Sequence, residues 1–162
     1  MYYHYEVWYQ VGKSGEFMFT GEYRHSLDAK KRLIVPSKIR EEMGDKIVIT
    51  RGLDGCLFGY QLSVWQKMLE KLNSLPFTKK DARNFTRFFT SGAITLEFDK
   101  QGRIIIPSYL MDYANISKSV IIIGVVNRIE IWDEVKWESF MQENVDCLSD
   151  ISENLFDSSF EL

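Results

Sequence analysis

His25-Ser-Leu-Asp28-Ala-Lys-Lys-Arg32-Leu-Ile-Val-Pro36-Ser37 and Leu96-Glu-Phe-Asp99-Lys-Gln-Gly-Arg103-Ile-Ile-Ile-Pro107-Ser108 read as two copies of one stretch. At an offset of 71, Asp28 falls on Asp99, Arg32 on Arg103, Pro36 on Pro107 and Ser37 on Ser108. Downstream, Lys46-Ile-Val-Ile49 matches Ser119-Val-Ile-Ile122, Leu57-Phe-Gly-Tyr60 matches Ile129-Glu-Ile-Trp132, and Trp65 matches Trp137. The offset stays between 71 and 73 throughout, so the chain carries a duplicated unit.

Each copy reads as a short strand up to the Asp, a three-residue turn, and a β-branched strand after the Arg. Gly102 gives the second turn the positive φ such turns commonly need, and the Asp side chain can accept hydrogen bonds from turn amides. Lys31 holds the matching place in the first turn, which is therefore either strained or differently shaped. Pro-Ser then opens a short helix, over Pro36–Met43 and Pro107–Tyr113, because proline suits a first helical turn. Strands follow at Lys46–Thr50 with Cys56–Tyr60 and at Val120–Val125 with Arg128–Trp132, and each unit closes with an amphipathic helix around Trp65 or Trp137. Between the units, Thr78 reads as an N-cap with Asp81 three residues on. Ala82, Phe85, Phe88 and Phe89 then form an apolar stripe suited to core or subunit contact, with Lys79, Lys80, Arg83 and Arg87 on the other side.

A unit of this size with four short strands buries little core alone. The expected architecture is therefore a mainly β (α+β) chain with short helices, its two units packed as a pseudo-twofold β-barrel with flanking helices. The chain divides into an extension or tag (1–17), a first repeat (18–72), a linking helix (73–90), a second repeat (91–144) and an acidic C-terminal tail (145–162). The tail has a weak helical stripe at Val145, Leu148, Ile151 and Leu155.

Composition narrows the chemistry. At 162 residues, 45% hydrophobic and 27% charged, the chain is of globular type. No apolar run approaches the ~18 residues that span a bilayer. Two cysteines and two histidines are too few for a disulfide framework or a Cys/His metal site. No nucleophile, base and oxyanion donors assemble, so neither an enzyme, a cofactor nor a small-molecule substrate is expected. The N-terminus lacks the pattern of a secretory signal, which makes a cytoplasmic location the default.

The net charge of −3 hides an asymmetry. Residues 21–90 carry 14 Lys and Arg against 8 Asp and Glu, whereas residues 91–162 carry 5 against 13. Such polarity gives one face an attractive field for phosphate while the molecule stays acidic overall. The repeated Asp-x-x-x-Arg turn supports two compatible readings. Asp and Arg can brace the turn through a charge-assisted hydrogen bond. Alternatively, Arg32 and Arg103 can present planar five-donor guanidinium groups to phosphate or to a guanine edge, with Lys30, Lys31 and Lys100 adding charge at the same tips.

The stretches Gly21–Pro36, Thr50–Tyr60, Thr78–Arg83, Asp99–Pro107 and Asn127–Asp133 resemble MraZ proteins in order and spacing, over residues 18–156. The resemblance implies an AbrB-like swapped-hairpin barrel, duplicated in one chain and assembling as a homo-oligomeric ring of about eight subunits. It also implies a cytoplasmic, nucleoid-associated transcriptional regulator, usually a repressor of the division and cell-wall gene cluster. That regulator binds double-stranded DNA at G-rich direct repeats in its own promoter. The site carried over is Asp28 and Arg32, then Asp99 and Arg103, with Arg24, Lys30, Lys31, Lys38 and Lys100 expected as accessory contacts. One departure stands out: the family usually has glycine where Lys31 is. An AbrB-type antitoxin and a structural ring without DNA binding are the rival readings.

Overall fold

The computed structural model describes residues 18–156, so the proposed extension at 1–17 and the last six residues of the tail lie outside the described residues. The first unit runs β1 (Glu22–Ser26), β2 (Arg32–Ile34), α1 (Ser37–Met43), β3 (Lys46–Arg51), β4 (Leu57–Tyr60) and α2 (Leu62–Asn73). Helix α3 (Lys80–Ser91) connects it to β5 (Ile94–Glu97), β6 (Arg103–Ile105), α4 (Ser108–Tyr113), β7 (Ser119–Val125), β8 (Arg128–Asp133) and α5 (Glu134–Asn144). A 3-10 turn (Val145–Cys147) and α6 (Leu148–Leu155) follow.

The element order repeats, and the pairing interlocks the copies. A six-stranded antiparallel sheet has the order β1-β7-β8-β4-β3-β5, and a separate two-stranded ribbon pairs β2 with β6. Exchanging the units reverses the sheet order onto itself, so a pseudo-twofold axis passes between β8 and β4 and through the ribbon at Leu33 opposite Ile104. The register obeys the same symmetry: Ser26 pairs with Ser119, and their counterparts Glu97 and Lys46 pair with each other. Each unit's first strand thus lies on the other unit's third, β1 on β7 and β5 on β3. No ladder among the described residues joins the ribbon to the sheet, so the strands form a sheet and a ribbon.

Both faces of the sheet are covered, which explains the near-continuous apolar runs in β3 and β7. One face, through Ile47, Ile49, Val120 and Ile122, packs on the ribbon and on Ile39, Met43 and Leu110 of the short helices. The other, through Val48, Ile121 and Ile123, packs on Trp65 and Leu72 of α2 and Phe89 of α3. Of the apolar stripe of α3, Phe89 is buried and Phe88 packs partly against this core, whereas Phe85 stacks on Phe89 at 5.6 Å between centroids and stays exposed. Strand β3 also ties down the end of α3, where carbonyls lack helical partners. Thr50 Oγ1 donates to the Phe89 carbonyl at 2.6 Å, and Arg51 Nη1 to that of Phe88 at 3.0 Å.

One expectation needs correction. Thr78 does not cap α3, because a turn closes first, with the Lys79 N–H on the Pro76 carbonyl at 3.1 Å, and Lys79 becomes the N-cap. The tail forms helix α6, in line with the helical spacing of its stripe, and Leu148, Ile151 and Leu155 face outward. Among the described residues, no helix is long and apolar enough to cross a membrane.

Candidate nucleic-acid interface

The two Asp-x-x-x-Arg turns are built alike. In the first, Asp28 Oδ1 accepts the N–H groups of Lys30 and Arg32, each at 2.9 Å, while Oδ2 takes Arg32 Nε at 2.6 Å. In the second, Asp99 Oδ1 accepts from Gln101 and Arg103 at 2.9 Å, and Oδ2 takes Arg103 Nε at 2.7 Å. Backbone bonds close both loops, Lys31 N–H to the Asp28 carbonyl and Gly102 N–H to that of Asp99, at 2.9 Å each. The Arg32 N–H above all, then its side chain and the Lys30 N–H, hold the Asp28 carboxyl below its ordinary range, against the opposing effect of desolvation. Asp99 is lowered in the same way by Arg103 and Gln101. The bracing reading is therefore realised in both turns. It uses only Nε of Arg32, and no hydrogen bond among the described residues takes that guanidinium's Nη1 or Nη2.

Lys31 resolves toward strain rather than altered shape. It adopts φ 58°, close to the 75° of Gly102, and so keeps the turn while holding a side chain in the left-handed region. Such a conformation costs about 1–2 kcal/mol for an L-residue. Lys31→Gly is expected to raise the unfolding free energy by about 1 kcal/mol after the extra chain entropy of glycine is deducted, read as a higher urea midpoint. An unchanged or lower midpoint would mean that the Lys31 side chain makes up the strain elsewhere. Exchanging Gly102 the other way would add left-handed strain at φ 75° and push the Arg40 guanidinium aside.

The ribbon sets the two turns at the ends of one ridge. Its register places Arg32 opposite Ile105 and Ile34 opposite Arg103, while Leu33 and Ile104 point into the core. The two strands run antiparallel over three residues each, so one turn enters at each end. The turns are close enough that Arg103 Nη1 lies 4.0 Å from Asp28 Oδ2. Lys30, Lys31 and Lys100 are exposed at the tips.

Interlocking adds a cation that the linear sequence gave no reason to include. Leu27, next to Asp28, donates its N–H to the Lys118 carbonyl at 2.8 Å, which places the backbone of exposed Lys118 beside the first turn. Its counterpart at an offset of 73 is Asp45, whose carbonyl holds Phe98 beside the second turn at 3.3 Å. The second turn also borders an open cleft of about 710 Å³, lined by Arg40 and Lys46 but also by Glu41, Asp45, Glu97 and Asp99. The first turn is consequently the basic one and the second is acid-flanked.

Two expected accessory residues lie elsewhere. Arg24 projects from β1 toward α5, where Glu134 at 2.7 Å, Glu138 at 3.1 Å and Glu22 at 3.3 Å surround it. The Glu138 hydrogen bond above all raises its pKa further, and three carboxylates leave no net positive field there. Lys38 lines a small cleft with Thr20, Tyr23 and Glu42, at the end of β1 opposite the turn.

Away from the ridge, Cys56 is buried, and burial first, then the charge of Glu130, pushes its thiol up. Glu130 is itself only 8% exposed. Its carboxylate accepts Arg128 Nη2 at 2.8 Å and Nε at 3.2 Å, and Trp132 Nε1 at 3.0 Å. Arg128 in turn stacks over Phe58 at 4.4 Å. This network locks the centre of the sheet, and its position at a strand residue between Ile129 and Ile131 gave no sequence signal. A family model described as "MraZ protein, putative antitoxin-like" matches the chain twice, over residues 18–88 and 89–159.

Proposed function

The chain belongs to the MraZ family, and on that premise we propose that it is a sequence-specific DNA-binding transcriptional regulator. It represses the division and cell-wall gene cluster by binding G-rich direct repeats in its own promoter, in the cytoplasm at the nucleoid. The observation that carries the reading is the ridge: two braced guanidinium groups on one ribbon face, with Lys30, Lys31, Lys100 and Lys118 around them. Bracing fixes each arginine through Nε and leaves its outer nitrogens for the two acceptors of a guanine edge. Lys30, Lys31 and Lys118 make phosphate contacts at the first turn, which leads binding because acids flank the second. Arg24 and Lys38 drop out of the contact set.

A single ridge has few cations, so affinity comes from a homo-oligomeric ring of about eight subunits on a repeated operator. Linkage of this kind raises avidity by ~10²–10⁴ without new contacts. In this reading the ribbon closes a pseudo-twofold barrel with the sheet in each subunit, edge strands β1 and β5 leading through the Asp-x-x-x-Arg turns into β2 and β6. Repression follows from occupying promoter DNA and excluding polymerase.

The test is fluorescence anisotropy with the DNA upstream of the gene against a scrambled duplex, across a salt series. Three phosphate contacts per subunit give a slope of log K on log salt of about −3 per bound subunit. Equal, weak binding to both duplexes would overturn the reading. It would favour a partner-binding role instead, antitoxin-like or structural, for which the outward apolar stripe of acidic α6 supplies a surface.

A further inference from the structure

We propose that Ile34 and Ile105 read thymine methyl groups in the major groove, beside the guanines read by Arg32 and Arg103. The inference rests on the DNA-binding reading and assigns specificity to residues outside the Asp-x-x-x-Arg pattern. Ile34 is 46% exposed and Ile105 59% exposed, in strands whose other aliphatic residues, Leu33 and Ile104, are buried. Single exposed aliphatics are ordinary on protein surfaces. These two are the same residue at the same position of both copies, although the turns before them have diverged, Ala29-Lys-Lys31 against Lys100-Gln-Gly102.

The ribbon register gives them a place in the readout. Ile105 stands directly across from Arg32 and Ile34 directly across from Arg103, so the outer face is two rungs of one arginine and one isoleucine each. Directly opposed residues hold their Cβ atoms about 4.5–5.5 Å apart. That spacing lets one rung reach neighbouring base edges in a groove about 12 Å wide, which admits a two-stranded ribbon. An isoleucine cannot hydrogen-bond, so the only major-groove feature it favours is the C5-methyl of thymine, which cytosine lacks. Covering the isoleucines with a second copy of the same face would instead press Arg32, Arg103, Lys30 and Lys31 against identical cations.

The test is anisotropy titration of the full chain with the upstream DNA fragment amplified in two forms, one with dTTP and one with dUTP, which differ only in thymine methyls. The wild type is expected to bind the uracil form about fourfold more weakly for each methyl contacted, the factor that burial of one such group contributes. The Ile34→Ser, Ile105→Ser variant, altered only at exposed positions and checked for an unchanged melting temperature, is expected to bind both forms equally. A conservative Ile34→Val, Ile105→Val variant should retain most of the difference. Specific wild-type binding that ignores the methyls would overturn the inference and leave the DNA-binding reading standing. So would a serine variant that loses as much on the uracil form as the wild type does. If the wild type bound neither form better than a scrambled duplex, the DNA-binding reading would fail and the inference with it.

Discussion

Arg32→Ala is expected to abolish discrimination between the upstream duplex and its scrambled control while leaving oligomeric state and melting temperature nearly unchanged. The guanidinium is anchored by a single 2.6 Å bond from Nε to Asp28 Oδ2, in a turn that keeps four other hydrogen bonds without it: Lys30 and Arg32 N–H to Oδ1, Lys31 N–H to the Asp28 carbonyl, and Asp28 N–H to the Arg32 carbonyl. The turn should therefore persist, and the loss should fall on binding. A bidentate arginine–guanine pair contributes ~1–3 kcal/mol to discrimination, and the proposed ring, engaging several repeats, would multiply that loss across its subunits. Arg103→Ala should cost less, because acids flank the second turn. Arg32→Lys separates the roles further, since an ammonium keeps the charge but loses the planar fork. It should preserve weak, salt-dependent binding to both duplexes. Dissociation of the oligomer by Arg32→Ala, measured by light scattering, would assign the pair to assembly instead.

The second large effect concerns stability. Glu130→Leu is expected to destabilise the fold by about 3 kcal/mol, because it removes the acceptor of three hydrogen bonds, two from the partly exposed Arg128 guanidinium and one from the buried Trp132 indole. For a chain of this length that corresponds to a fall of about 6–12 °C in melting temperature. Arg128 loses both of its bonds to the carboxylate, and the Trp132 indole N–H loses its acceptor. Adding Arg128→Leu should recover a substantial part of the loss, since an apolar pair in place of both charges is often close to neutral. A double variant no better than the single one would show that Arg128 was already satisfied by its contact with Phe58. The same variant should leave DNA affinity unaffected at temperatures where it is folded, because the network lies in the sheet and not in the ribbon.

Much of the local structure was legible because its signals are local. Pro36 and Pro107 mark the starts of α1 and α4, and Gly102 marks a left-handed turn position. The β-branched runs at 46–50 and 120–125 became β3 and β7 to within a residue or so. Thr78 misled because a capping residue and a turn residue look the same until the chain direction is known. The surroundings of Arg24 were not legible because the carboxylates that hold it, Glu134 and Glu138, lie 110 and 114 residues away.

Whether Asp28 and Asp99 brace their arginines was open in the sequence, but the duplication and the element order of each unit were legible there, since each depends on residues within a few positions of one another or on an internal offset. Which side of Arg32-Leu-Ile-Val35 faces outward was not among these, for a stretch that does not alternate polar and apolar has no period to read. Tertiary structure decided it: antiparallel pairing of β2 with β6 across the pseudo-twofold axis buries Leu33 and Ile104 and turns both arginines and both isoleucines to one side. The same exchange of strands carries Lys118 of the second unit to the first unit's turn and Asp45 of the first to the second's. Two copies of one turn thereby acquire opposite electrostatic surroundings, because neighbours in an interlocked fold come from the other copy.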